Sequence, residues 1–228
     1  MKKKTLVLLI ILVLCISLSA CKKDEEEKEK VPEAKTNEKI DLKKNVSIQD
    51  VGYVVGNYDD RHVIVKVSNN NDRAIYVDVK FSYRDSNGNQ LDERNVYVRV
   101  GAHKTAYAID EFYVEDVYFD NYKYDFDVSL EKLDDYETIY NNMKVNYVDT
   151  GSKVNVTITN NGNRTSTVKA WVLFRKDGKV VALNSVSEYN LTPGNTKTQS
   201  INYPHKTNSI LIPFDRIEVV LNEISTEL

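Results

Sequence analysis

The chain has 228 residues, 41% of them hydrophobic and 29% charged, with a formal net charge of -3. That is a globular composition with room for one or two domains. Two cysteines, one inside an N-terminal apolar run, exclude a disulfide-stapled scaffold and a cysteine-based zinc site, and three histidines leave little for a metal enzyme. No cofactor is expected.

Lys2, Lys3 and Lys4 precede an apolar stretch from Leu6 to Ala20. The stretch is shorter than the ~20 residues of a spanning helix and follows the charged-then-apolar plan of an export signal. At its end Leu18-Ser19-Ala20-Cys21 resembles the lipobox of bacterial lipoproteins. In those proteins diacylglycerol is attached to the cysteine thiol and the signal is cut just before it. The resemblance implies a signal peptide over residues 1–20, lipidation of Cys21 and residence on the extracytoplasmic face of the cell membrane. Each buried CH₂ contributes about 0.8 kcal/mol, so two or three acyl chains make a lasting anchor.

Residues 22–44 carry eight Lys and eight Asp or Glu, with Pro32 among them and few apolar side chains. No core can form from this composition, and residues 21–44 read as a lipidated cysteine followed by a disordered charged tether. The remainder holds 20 basic and 26 acidic side chains. This balance disfavours nucleic acid and anionic lipid head groups as partners.

From Val46 the apolar residues alternate, as half-buried strands require. Val63, Val65 and Val67 share one face, and Ile75, Val77, Val79, Phe81 and Tyr83 share another; Asn69-Asn70-Asn71-Asp72 separates the two runs. The second ends at Asn87-Gly88, a hairpin turn signal. Strands follow near Arg94 to Val100, Thr105 to Tyr113 and Tyr122 to Leu133. The second half repeats the order, with Val154, Val156 and Ile158, then Val168, Ala170, Val172 and Phe174, then Thr196 to Tyr203. Asn69 maps to Asn160, Gly88 to Gly178, Gly101 to Gly194, His103 to Asn195 and Leu130 to Leu221, an offset of 90 to 93 residues. A repeat of this length is one small domain rather than a solenoid unit. The expected fold is all-β: two tandem antiparallel immunoglobulin-like β-sandwich domains, residues 45–133 and 134–228, without the cysteines and tryptophan of true immunoglobulin domains. The run Phe81-Ser82-Tyr83-Arg84-Asp85, with Val172-Leu173-Phe174-Arg175-Lys176-Asp177-Gly178 in the second copy, is similar to the FxLYD-type domains of Gram-positive envelope lipoproteins. In place of the family's Leu-Tyr pair stand Tyr83-Arg84 and Phe174-Arg175. The resemblance implies a β-sandwich and an envelope role, and supplies no catalytic residue.

Asp85-Ser86-Asn87-Gly88-Asn89 alternates oxygen ligands, but its glycine and twelfth residue do not suit a calcium loop, so it reads as a turn. His62, His103 and His205 form no ligand pair and read as surface or turn residues. Two surfaces stand out. Tyr113, Tyr118, Phe119 and Tyr122 lie in an aromatic and acidic stretch suited to sugar rings or a basic protein segment. Trp171 and Leu173 turn outward where the first copy has Lys80 and Ser82, and with Val181 and Leu183 they form an apolar patch that either the first domain, the chain end or a partner covers. The expected role is noncatalytic binding or scaffolding at the membrane surface, with an envelope protein or wall glycan as partner. The alternatives are the solute-binding component of an importer and, behind it, an envelope hydrolase.

Overall fold

A computed structural model describes residues 42–55, 61–112, 121–131, 135–206 and 209–226, all within one compact unit. The signal peptide, Cys21 and most of the tether lie outside the described residues. Two antiparallel β-sandwiches follow one another. The first contains β1 (Val46–Val55), β2 (Arg61–Asn69), β3 (Ile75–Arg84), β4 (Gln90–Val100), β5 (Thr105–Phe112) and β6 (Asn121–Leu130). Its two sheets have strand orders β1-β2-β5 and β4-β3-β6. The second contains β7 (Met143–Asp149), β8 (Lys153–Asn160), β9 (Ser166–Lys176), β10 (Lys179–Leu191), β11 (Thr196–Asn202) and β12 (Arg216–Thr226), in sheets β7-β8-β11 and β10-β9-β12. Strand by strand the second topology repeats the first.

The alternation explains the sandwiches. Val63, Val65, Val67, Ile75, Val77, Val79, Phe81 and Tyr83 are buried in the first core, and Val154, Val156, Ile158, Val168, Ala170, Val172 and Phe174 in the second. Each successive pair of inward residues removes two large apolar side chains from water, at roughly 25 cal/mol per Å².

Hydrogen bonds place the two copies in register. Asn69 Nδ2 donates to the carbonyls of Arg73 (2.8 Å) and Val100 (3.0 Å), while its Oδ1 accepts from the Asn71 N–H (2.9 Å). Asn160 makes the same three bonds, to Arg164 (2.7 Å), Leu191 (2.8 Å) and from Gly162 N–H (2.9 Å). The main-chain N–H of Asn69 donates to Lys104 and that of Asn160 to Asn195. Lys104 therefore corresponds to Asn195, and His103, not Gly101, corresponds to Gly194. Both lie at positive φ, 55° and 76°. The expected match of Leu130 with Leu221 also fails: Leu130 lies opposite Ile75, whereas Leu221 lies opposite Ala170, the counterpart of Val79. Leu221 thus takes the place of Phe126, and a bulge between Leu221 and Glu223 adds one residue to β12.

Two local features depart from the sequence reading. Leu42, in a helical turn over residues 42–44, packs against the first core, so the end of the charged segment belongs to the fold. A seven-residue helix, α1 (Tyr136–Asn142), joins the sandwiches and buries Tyr136 and Ile139 in the second core. Its Glu137 accepts a hydrogen bond from the Ala102 N–H of the first sandwich.

Candidate functional site

The outer faces of two sheets meet. Val54, Ile64 and Tyr107 from β1-β2-β5 form one buried cluster with Trp171, Leu173, Val180 and Leu183 from β10-β9-β12; Val51, Ile109 and Val220 pack around it. Odd residues of β9 point this way because the even ones fill the second core. Ile64 and Leu173 are fully buried, and Trp171 is 6% exposed. Val181 behaves differently. A bulge between Val180 and Ala182 shifts the register, so Val180 joins the cluster while Val181 packs on the second sandwich's own core.

Polar groups lock the same junction. The Asn222 side chain, carried outward by the β12 bulge, accepts the Tyr107 N–H at 2.8 Å and so satisfies a free edge of β5. Arg175 Nε donates to Glu218 Oε2 at 2.7 Å and its Nη2 to the Tyr107 hydroxyl at 2.8 Å; that hydroxyl donates to Glu218 Oε1 at 3.2 Å. Burial, followed by the Glu218 carboxylate, pushes the Tyr107 hydroxyl up to about 12. Burial works against the Arg175 charge, but hydrogen bonds to Glu218 and Tyr107 outweigh it and hold the guanidinium above its ordinary value.

This triad lines a cleft of about 820 Å³ to which both sandwiches contribute, Gln49, Asp50, Val51, Lys66 and Tyr107 from the first, and Arg175, Lys179, Val180, Asp215, Arg216 and Glu218 from the second. Its acids are engaged: Glu218 with Arg175, Asp50 accepting from the Tyr122 hydroxyl at 2.7 Å, and Asp215 accepting from the Asp177 N–H at 2.8 Å. Lys66, Lys179 and Arg216 have no carboxylate partner among the described residues. Arg216 lies directly opposite Arg175 across β12 and β9, an unfavourable cross-strand pair of like charges. The arrangement can bind a polar molecule with negative charge, and neither periodicity nor any motif signals it, because its residues meet only when the two sandwiches pack.

Of the aromatic stretch, Tyr113, Tyr118 and Phe119 lie outside the described residues. Tyr122 does not present an exposed ring: with Tyr124 and Phe126 it packs on the first core, while Lys123, Asp125 and Asp127 take the alternate positions. A stacked aromatic pair occurs instead on the outer face of β3 and β4, where the half-buried Tyr76 and the exposed Tyr97 have centroids 5.6 Å apart. His62 is buried in β2 rather than at the surface, whereas His103 and His205 are exposed. Asp85 holds its turn, accepting from Asn87 and Asn89 N–H groups at 2.9 and 2.8 Å. Among the described residues no group of three His, Cys, Asp or Glu is placed to hold a metal, and no helix is long and apolar enough to cross a membrane.

No family model and no curated protein matches the chain. Among solved structures it is similar to red sea bream transglutaminase, with 14% identity over 86% of this chain and a TM-score of 0.27; it spans 34% of that enzyme's length. It is also similar to the YadV chaperone, with 10% identity over 80% of this chain and all of that one (TM-score 0.21), and to the class 5 fimbriae chaperone CfaA, with 14% identity over 81% and 99% (TM-score 0.21). Scores this low carry no inference about activity.

Proposed function

We propose that this chain is a lipid-anchored, noncatalytic binding or scaffolding module of the bacterial cell envelope, held through Cys21 on the extracytoplasmic face of the membrane and built from two FxLYD-like sandwiches. The lipobox-like Leu18-Ser19-Ala20-Cys21 supports the anchor. The observation that carries the binding role is the cleft to which both sandwiches contribute. Its walls are fixed to each other by the apolar cluster around Trp171 and by the Tyr107–Arg175–Glu218 triad, so a ligand meets a preformed surface and little binding energy is lost to ordering it.

Two measurements test this in cells that make the protein natively. Wild-type chain incorporates labelled fatty acid and sediments with membranes, and Cys21→Ala does neither. Crosslinking through a photoreactive residue at Lys179 captures an envelope protein or glycan. Unlabelled wild-type protein in the soluble fraction would remove the anchor, and an absence of envelope components among the crosslinked products would remove the binding role.

A further inference from the structure

We infer that the cleft between the sandwiches binds a phosphorylated polyol or sugar, with Lys66, Lys179 and Arg216 on the phosphate. The inference deepens the binding reading above and rests on it.

Charge placement is the first support. The folded part has more acidic than basic side chains, yet three cations without carboxylate partners among the described residues gather at one concavity. Arg216 is exposed and stands opposite Arg175, whose charge is already committed to Glu218, so two guanidinium groups face an incoming anion from adjacent strands. Each acid lining the cleft already has a partner within the protein, which leaves the three cations as its charged donors for a ligand.

Size and wall chemistry narrow the ligand. A volume of about 820 Å³ is far more than a bare ion needs and falls within the ~300–1,000 Å³ of small-molecule sites. Gln49 lies beside the cations and offers both a donor and an acceptor to hydroxyls, while the half-buried Val51 gives an apolar flank for a carbon skeleton. A polyol or sugar phosphate uses all three kinds of wall. The same chemistry occurs in a free sugar phosphate, a polyol phosphate polymer and a phosphatidylglycerol head group.

The test uses the full chain in neutral detergent, titrated with glycerol 3-phosphate, a glycerol phosphate oligomer, and micelles doped with phosphatidylglycerol, while the backbone amides are followed by NMR. Saturable shifts centred on Lys66, Lys179 and Arg216 are expected with at least one probe, weakening as salt rises. The probe that binds most tightly identifies the source. Lys179→Gln with Arg216→Gln is expected to weaken binding roughly tenfold or more without lowering the melting temperature, since it removes a like-charge pair. Lys66→Gln alone supplies a second measurement of the same loss. Unchanged affinity in the folded variants, shifts centred elsewhere, or no binding of any probe overturns the assignment. A failure of lipid labelling at Cys21 with intact cleft binding would count against the anchor alone.

Discussion

Ile64 and Asn155 occupy the same position in the two copies of the sheet, 91 residues apart, and meet opposite surroundings. Ile64 is fully buried between the sandwiches, while Asn155 is half-buried on the outer face of its sheet and accepts a hydrogen bond from Ser200 at 2.7 Å. Ile64→Asn puts an amide without partners into the apolar cluster and is expected to cost about 3 kcal/mol. Asn155→Ile is expected to change stability by less than about 1 kcal/mol. Urea unfolding of both variants decides it; equal costs would mean that the cluster around Trp171 contributes little to stability.

Removing the Asn160 side chain leaves the carbonyls of Arg164 and Leu191 and the Gly162 N–H without their partner, the Leu191 bond buried and the other two half-buried. Asn160→Ala is expected to lower stability by about 2–3 kcal/mol, and Asn69→Ala by a similar amount. A loss below about 0.5 kcal/mol in both would show that the shared hydrogen bonds do not pin the turns.

Gly194 and His103 share a left-handed turn position, and nothing lies near the place where a Gly194 Cβ would stand. Gly194→Ala therefore meets no steric contact and sets backbone strain against the reduced freedom of the unfolded chain, with an expected net cost of about 1 kcal/mol. His103→Gly relieves the same strain but gives the unfolded chain more freedom, so the net change is smaller than that. Thermal unfolding of the pair measures the difference.

Asp110 is buried and accepts the Tyr83 hydroxyl at 2.6 Å. Burial raises its pKa above the ordinary carboxylate value, against the pull of the Tyr83 hydrogen bond and Arg94. A raised folded value means that its contribution is fully present below the unfolded pKa, near 3.9, and is lost as pH climbs through the folded value. Asp110→Asn removes that loss, so the stability of the variant relative to wild type is expected to rise with pH across this acid range. Urea midpoints measured at successive pH values check the sign; a difference that falls with rising pH refutes it.

Much of the sandwich plan is legible because alternation of apolar residues has only one reading when the turns are this regular. Val63, Val65 and Val67 announce their strand, as Val168, Ala170, Val172 and Phe174 announce theirs. The duplication also shows that Trp171 and Leu173 are out of place on an outer face. What escapes is whatever depends on a single inserted residue or on packing at a distance. The bulge at Val181 sends that side chain to the other side of the sheet, and the bulge at Asn222 moves the last strand out of the expected match. Helix α1 is two turns long with two buried residues, Tyr136 and Ile139, too little periodicity to detect. Lys66 and Arg216 are 150 positions apart, and nothing in either neighbourhood foretells a shared cleft.

Joining unlike faces of two nearly identical units carries a hazard of endless propagation. Had duplication left the copies the same, the second would present an apolar counterpart of the Ile64 face and the first a counterpart of the Trp171 face, and molecules would add head to tail into a filament. At the positions equivalent to the contact both spare faces carry polar side chains, while Tyr76 and Tyr97 keep an aromatic pair farther along that of the first sandwich. Asn155, Thr157 and Thr198 cover one end, with the two threonine hydroxyls bonded to each other at 2.9 Å, and Lys80 and Ser82 cover the other, with Lys80 paired to Glu93. Divergence between the repeats has thus removed, at these positions, the apolar side chains through which a further unit would have joined.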